Sequence, residues 1–236
     1  MTSDAPAADG PSPRRRRRLP PFTEVLVALV AVALVQAFFI KPFGVPSQSM
    51  EETLHIGDRI IVNRLDHSIA RGDVVVFGHG TTWQSARLPT DPNLFKRTVR
   101  AVGDLTGIGP SNTAYTVKRV IGLPGDTVAC CSADGRVLRD GEPLDEPYVF
   151  EDLPFTPGVI DCGSTPRSTR CFPKITVPSR RYLVMGDHRS QSADSVIGCR
   201  GATEGPECVN LVPEGRVIGP VVLRFWPLTD IGQLAR

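Results

Sequence analysis

Two serines, separated by one residue, offer the clearest chemistry in this sequence. Ser47 and Ser49 follow Pro46 in the stretch 45–54, and the hydrophobic Met50 comes next. A serine hydroxyl is a weak nucleophile until a neighbouring base takes its proton. We therefore predict that Ser49 is a nucleophile and that another part of the chain supplies its base.

Lys118 is the lysine best suited to be that base. A lysine must be neutral to accept a proton, and burial lowers its pKa because the ammonium ion loses its hydration. Lys118 lies among the apolar residues of 117–123, before a turn that Gly122 and Pro124 predict. Lys96 has the same spacing to a later Gly-Asp pair, but the residues between them suit a helix. The sequence therefore favours Lys118.

Histidine is the usual partner of a catalytic serine, so two histidines are alternatives. His188 lies next to Asp187, but neighbours in one strand or turn rarely point at each other. His55 comes six residues after Ser49, among polar neighbours. A serine hydrolase that uses His188 stays open at this point, and so does a binding or structural domain without chemistry.

The N-terminal part of the chain predicts a membrane anchor. Residues 1–21 contain five consecutive arginines, Arg14 to Arg18, and have a composition that cannot form a core, so we predict a disordered basic cytoplasmic tail. The apolar stretch 22–43 would form a helix of about 33 Å, close to the hydrocarbon thickness of about 30 Å. A cleaved secretory signal is the alternative, but its small-x-small pattern, Ala31-Val32-Ala33, lies in the middle of the run. We predict an uncleaved transmembrane helix with its N-terminus in the cytoplasm.

The remainder of the chain, 44–236, predicts an extracytoplasmic domain rich in turns and strands. The whole sequence has 22 Gly, 22 Pro and 22% charged residues. Beyond residue 21 the acidic and basic residues nearly balance, which excludes a basic face for nucleic acid. Runs of β-branched residues at 56–65, 72–77 and 115–122 predict strands, and the spacing of 94–105 predicts a basic amphipathic helix.

Six cysteines, all after the apolar stretch, indicate an oxidising compartment. Two pairs bracket short loops and are predicted to form disulfides: Cys162 with Cys171, and Cys199 with Cys208. For the adjacent Cys130 and Cys131, a vicinal disulfide is a rare and strained arrangement, and free thiols or long-range pairing are equally open. The sequence has no C-x-x-C pair and its four histidines are scattered, so we predict no metal and no cofactor.

Four motifs, taken together and in order, resemble those of the bacterial type I signal peptidases. They are Pro46-Ser47-x-Ser49-Met50 with Thr53-Leu54, Gly72-Asp73-Val74-Val75, the run from Lys118 to Asp126, and Gly186-Asp187-His188-Arg189-x-x-Ser192-x-Asp194-Ser195. They stand behind the predicted anchor and cover the chain from about residue 22 to Trp226-Pro227. Four ordered motifs are far more specific than any one of them.

The resemblance implies a membrane-bound serine endopeptidase that removes N-terminal signal peptides from exported preproteins after small residues, in an Ala-x-Ala pattern. Its partners would be secretory preproteins and membrane lipid, with no nucleic acid. It would work on the extracytoplasmic face of the cell membrane. The implied fold is mainly β, an antiparallel β-sheet catalytic domain with a smaller β subdomain inserted at 127–180, preceded by one N-terminal transmembrane helix.

The resemblance also assigns catalytic roles. Ser49 would be the nucleophile and Lys118 the general base. The backbone N–H of Ser49 and the hydroxyl of Ser47 would form the oxyanion hole. Ser192 would orient the Lys118 amine.

The resemblance further assigns support and substrate binding. Asp194 would pair with Arg119. This chain has Val196 where the family commonly has arginine, which removes one possible partner of Asp194 and makes the pair with Arg119 more important. At the other departure, Glu52 stands where the family often has proline. The substrate would add as an extended strand along residues 72–77. The implied substrate contacts are Val45, Met50, Asp73, Val74 and Val75.

Overall fold

A computed structural model describes residues 20–66, 68–79, 94, 96, 98, 100, 114–202 and 206–234. The first described element is helix α1 (Pro21–Phe38). The strands that follow it are β1 (Ile40–Gly44), β2 (Arg59–Asn63), β3 (Val74–Gly78), β4 (Tyr115–Gly122), β5 (Thr127–Cys130), β6 (Val137–Arg139), β7 (Glu142–Pro143), β8 (Phe172–Thr176), β9 (Arg181–Met185), β10 (Val212–Pro213) and β11 (Val217–Trp226). Short 3-10 helices cover Gln48–Met50, Arg189–Gln191, Ile197–Cys199, Pro206–Cys208, Glu214–Arg216 and Leu228–Asp230. Most of the amphipathic helix predicted at 94–105 lies outside the described residues.

The strands form two antiparallel sheets. The larger has the order β1-β2-β11-β3-β4-β9-β10, and the smaller has the order β7-β6-β5-β8. The paired strands of both sheets are antiparallel, so the prediction of a mainly β, antiparallel fold is confirmed. The strands of the smaller sheet run from Thr127 to Thr176, inside the range predicted for an inserted subdomain.

Helix α1 is shorter than the sequence predicted. It ends at Phe38, and Ile40–Gly44 instead form β1, which pairs with β2. Pro42 has no backbone N–H and disfavours helical geometry at the residue before it, so a helix cannot continue to Phe43. The predicted extent of the helix was therefore wrong. Within the described part of the chain, no helix has both the length and the apolar character needed to cross a membrane.

Strand β4 carries the predicted base through the interior of the larger sheet. Its residues from Val117 to Gly122 are all buried, including Lys118 at 2% exposure and Arg119 at 0%. Apolar side chains from both faces of the strand join separate core clusters, Val117 in one and Val120 in another. The β-branched residues of β4 suit such a buried strand. They surround the basic side chains of Lys118 and Arg119 and keep water away from them.

The six cysteines form three disulfides. Cys162 is joined to Cys171 and Cys199 to Cys208, which are the two pairs expected from their loops. Cys130 at the end of β5 is joined to its neighbour Cys131, a pairing for which the sequence left other choices open. Two of the disulfides lie beside the smaller sheet, and the third lies in the segment that leads from the last motif to β10.

Candidate active site

A short 3-10 helix, Gln48–Met50, presents Ser49. Ser47 before it is extended, and Met50 and Leu54 are buried at 1% and 0% exposure. The Leu54 N–H donates to the Met50 carbonyl over 2.7 Å. The buried side chains of Met50 and Leu54 hold the turn against the core. The hydroxyl of Ser49, which is 6% exposed, is therefore held in one direction.

Lys118 lies directly against this hydroxyl. Its Nζ donates a hydrogen bond to Ser49 Oγ, although the two residues are 69 positions apart. Burial lowers the pKa of Lys118 from 10.5 to about 8, and the nearby carboxylates of Asp194 and Asp187 oppose that shift. A lysine with such a pKa is neutral in about a tenth of the molecules at pH 7, and the neutral amine can accept a proton from the serine.

Arg119 pairs with Asp187, which corrects the predicted pair with Asp194. Its Nε and Nη2 donate to the two oxygens of Asp187 over 2.9 and 2.6 Å, and both side chains are fully buried. The register that pairs Arg119 with Met185 explains this choice, because Asp187 follows Met185 by only two residues. The Thr53 hydroxyl also donates to Asp187 Oδ2 over 2.5 Å, which ties the segment after Ser49 to the same carboxylate.

Asp194 has a different arginine as its partner. Arg200 Nη2 donates to Asp194 Oδ2 over 2.9 Å. The sequence analysis missed Arg200, which lies four residues after Val196, where the related family commonly has its arginine. The only signal was an unassigned arginine close to the last motif. In this chain Arg200 neutralises the buried carboxylate that Val196 cannot pair with.

A loop of the inserted region, residues 146–151, crosses the last motif, and we call it the strap. Tyr148 stacks on Arg119, with the guanidinium carbon 3.8 Å from the ring centre. Glu146 pairs with Arg189 over 2.6 Å, and the Phe150 N–H donates to the Asp187 carbonyl over 2.9 Å. No motif in the sequence pointed to the strap, because the contacts that hold it against the last motif and Arg119 are with residues far along the chain.

Ser47 and Ser192 both lie close to the nucleophile. Ser47 Oγ is 3.3 Å from Ser49 Oγ, near enough for a hydrogen bond. Ser192 is 3% exposed and packs with the Ser49 carbonyl around Gly186, but its Oγ has no hydrogen-bond partner within the described residues. The expected hydrogen bond from Ser192 to Lys118 is therefore not formed in this structure.

Strand β3 is not the open edge that the predicted substrate groove requires. It lies between β11 and β4, and Val75 is paired on both sides, with Pro220 and with Lys118. The Asp73 carboxylate accepts the Ala70 N–H over 2.8 Å within its own turn. Because β11 already fills that edge, a substrate strand cannot pair with β3 itself. That residues 72–77 line the substrate groove stays a prediction.

The strand that carries Lys118 provides an open edge instead. The Ala114 carbonyl and the Val120 N–H bond toward β3, so in an antiparallel ladder Tyr115 and Val117 direct their backbone groups to the opposite side. On that side β9 begins to pair only at Arg119, and no other described strand pairs with Tyr115 or Val117. The edge leads directly to Lys118.

All but one of the apolar residues predicted to contact substrate lie on one side of this edge. Val45 and Met50 belong to a single buried cluster with Leu54 and Val117. Val74 belongs to the same cluster, whereas Val75 faces the other side of the sheet. The arrangement gives the open edge of β4 an apolar flank close to Ser49.

His188 is not placed to act as the base of Ser49. Its Nδ1 is 3.3 Å from the Gln48 carbonyl oxygen, and its Nε2 is 3.2 Å from a carboxylate oxygen of Glu151. Both ring nitrogens are therefore engaged away from the serine hydroxyl. The alternative of a hydrolase that uses His188 as its base does not fit this geometry.

Comparisons with known proteins match nearly the whole described chain. The family model described as signal peptidase, peptidase S26, matches residues 21–226. The signal peptidase I of Mycobacterium tuberculosis is 35% identical over 237 residues, which cover 95% of this chain and 78% of that protein. A probable signal peptidase I of Mycobacterium leprae is 34% identical, covering 94% and 82%, and the signal peptidase I of Bacillus licheniformis is 28% identical, covering 88% of each.

Proposed function

The chain belongs to the peptidase S26 family of signal peptidases, and we propose that it cleaves signal peptides from exported preproteins with Ser49 as nucleophile and Lys118 as general base. The contact between Ser49 Oγ and the buried Lys118 Nζ is the observation that carries this proposal. The pKa of Lys118, lowered to about 8, supports the role of a base.

The proposed reaction has two steps. Neutral Lys118 takes the proton of the Ser49 hydroxyl as Oγ bonds to the scissile carbonyl carbon, and the carbonyl electron pair moves to the oxygen. The Ser49 N–H and the Ser47 hydroxyl stabilise that oxyanion, and preorganised donors of this kind contribute several kcal/mol. Collapse breaks the C–N bond, and Lys118 returns the proton to the leaving amine. A water molecule then hydrolyses the acyl-enzyme through the same groups.

We further propose that the substrate lies as an extended strand on the open edge of β4. Backbone groups of Tyr115 and Val117 would pair with it, as in other strand-addition complexes. Alternate side chains of the substrate would then face the apolar flank formed by Val45, Met50 and Val117. These side chains are already packed against one another, which supports a preference for small residues such as alanine.

We also propose that the N-terminal part holds the enzyme at the cell membrane, with the catalytic domain on the extracytoplasmic side. The described side chains of α1 include many exposed apolar residues, such as Phe22 at 77% and Leu29 at 63%. The arginine run 14–18 precedes them, which supports a cytoplasmic N-terminus.

The test is cleavage of an exported precursor by the full chain. The chain should be recovered in the membrane fraction, resist alkaline carbonate and dissolve in detergent. The detergent-solubilised wild type should cut a precursor with alanine at positions −3 and −1, and N-terminal sequencing should locate the cut. Ser49→Ala should be inactive. A precursor with phenylalanine at −1 that is cut equally well would contradict the specificity, and an active Ser49→Ala would contradict the mechanism.

The rate of cleavage should depend on pH through Lys118. Because only the neutral amine accepts a proton and its pKa is about 8, the rate should rise about tenfold per pH unit below 8 and level off above it. Initial rates from pH 6 to pH 10, with circular dichroism at each pH to verify folding, measure this. A rate that is flat across this range excludes a lysine base of the stated pKa.

A further inference from the structure

His188 connects the last motif to the helical turn that carries the nucleophile. Its side chain is 7% exposed, and its Nδ1 lies 3.3 Å from the Gln48 carbonyl oxygen. Its own backbone N–H donates to the Ser49 carbonyl over 3.3 Å. One residue therefore contacts both carbonyl groups that flank the α-carbon of Ser49.

The contact with Gln48 has a consequence for the next N–H group. The Gln48 carbonyl and the Ser49 N–H belong to one planar trans peptide, so they point in opposite directions. The Gln48 oxygen already accepts the Glu51 N–H over 2.9 Å within the short helix. A second donor, from His188, restricts rotation of that peptide and thereby fixes the direction of the Ser49 N–H.

The strap holds the imidazole ring from the other side. Glu151 Oε2 lies 3.2 Å from His188 Nε2, and the Phe150 ring packs edge-on against the imidazole at 5.0 Å. The Ser190 N–H donates to the Glu151 carbonyl over 3.0 Å, which keeps the strap beside the ring. Both ring nitrogens of His188 thus face oxygen atoms, a carbonyl and a carboxylate. A ring with a proton on each nitrogen can donate to both.

We propose that His188, oriented by Glu151, is a positioning residue that aims the Ser49 N–H at the oxyanion of the reaction. The inference rests on the proposed function, because it assigns an orienting group to the oxyanion hole of the same site. His188 contacts neither substrate nor the reacting atoms, so its effect passes through the Gln48 peptide. The strap thereby couples the inserted region to catalysis.

Kinetics of the full chain in detergent test this role. His188→Ala should lower kcat about 10- to 100-fold and leave KM within about twofold, because the oxyanion donor acts only in the transition state. His188→Gln, whose amide N–H can still donate to Gln48, should recover part of the loss. Glu151→Gln should stay near wild type, since its amide can donate to Nε2 and leave the proton on Nδ1. The kcat of Glu151→Ala should fall further below the wild-type value than the kcat of Glu151→Gln.

A peptide aldehyde provides a second measurement. Ser49 Oγ adds to the aldehyde carbon, its proton passes to Lys118, and the aldehyde oxygen becomes an oxyanion in the hole. His188→Ala should lower the affinity for the peptide aldehyde by the same factor by which it lowers kcat. The affinity for the matching peptide amide should stay unchanged. His55→Ala is the control, because the imidazole of His55 is half exposed and its one ion-pair partner among the described residues is Glu51, at 3.7 Å. It should behave as wild type in both measurements.

The two proposals fail in different ways. A wild type that neither cleaves precursor nor binds the aldehyde refutes the proposed function. An active wild type whose His188→Ala variant keeps its kcat, or changes only KM, overturns the positioning role. The thermal midpoint of each variant is measured alongside, and if His188→Ala is too unstable to assay, equal kcat for Glu151→Ala and Glu151→Gln overturns it as well.

Discussion

Replacing Lys118 with methionine should abolish cleavage and make the folded chain more stable at neutral pH. Without the amine, no basic group among the described residues remains in contact with Ser49 Oγ to take its proton, and kcat/KM should fall by about 10⁴-fold or more. Methionine is close to lysine in length and is apolar, so it fills the same buried site. Cleavage of a precursor by variant and wild type, at equal protein concentration, measures the first effect.

The gain in stability follows from the pKa of Lys118. A shift from 10.5 to about 8 means that the fold disfavours the charged amine by about 3 kcal/mol. Below pH 8 the lysine is charged in both states, so the folded state carries this cost in full. Between pH 8 and 10.5 the unfolded state binds more protons, and wild-type stability rises with pH. Above pH 10.5 the cost is gone.

Urea unfolding at pH 7 and pH 10.5 checks this sign. The free energy of unfolding of Lys118→Met should exceed that of the wild type by about 2–3 kcal/mol at pH 7, and this difference should shrink at pH 10.5. Lys174→Met, at an exposed position on β8, serves as the control and should change neither activity nor stability. A less stable Lys118→Met at pH 7 contradicts the argument from burial.

Replacing Gly186 with alanine should have the second large effect. A Cβ at Gly186 would overlap the carbonyl oxygen of Ser49 and the Oγ of Ser192 at once. The side chain of Ser192 can rotate away from the added Cβ. The Ser49 carbonyl belongs to the backbone of the turn that carries the nucleophile, so it can move only together with that turn. A shift of about 1 Å between reacting groups costs about 100-fold in rate.

We therefore expect Gly186→Ala to lose at least about 100-fold in kcat/KM and about 1–3 kcal/mol in unfolding free energy. Precursor cleavage and urea unfolding measure the two losses. Gly215→Ala is the matched control, because a Cβ there has no heavy atom within 4 Å. Near-normal activity of Gly186→Ala would mean that the nucleophile turn tolerates displacement, contrary to the tight packing around Ser49.

The sequence predicted the residues of the site better than their partners. Ser49 and Lys118 lie in ordered motifs, and the apolar neighbours of Lys118 correctly indicated burial. The pair of Arg119 with Asp187 depends on the register between β4 and β9, which no local pattern reveals. The same holds for Arg200, which reaches Asp194 only after the chain folds back through its 3-10 helix.

The open edge of the sheet could not be predicted for a similar reason. Alternating apolar residues identify β3 and β4 as strands, but they do not say which neighbour each strand acquires. Strand β11, nearly a hundred residues after β4, lies between β2 and β3 and leaves the edge before Lys118 open. The predicted end of helix α1 was wrong, and there Pro42 was a local signal that deserved more weight against the apolar count.

The position of β11 between β2 and β3 also determines when the sheet around Lys118 can assemble. Residues 59–63 and 74–78 lie close in sequence, yet they become part of one sheet only through a strand at 217–226. Until those residues are synthesised, the framework around Lys118 has a gap where two strand edges stay unpaired. Contacts between distant segments also form slowly. A growing chain should therefore have no peptidase activity until β11 has been synthesised and has docked between β2 and β3.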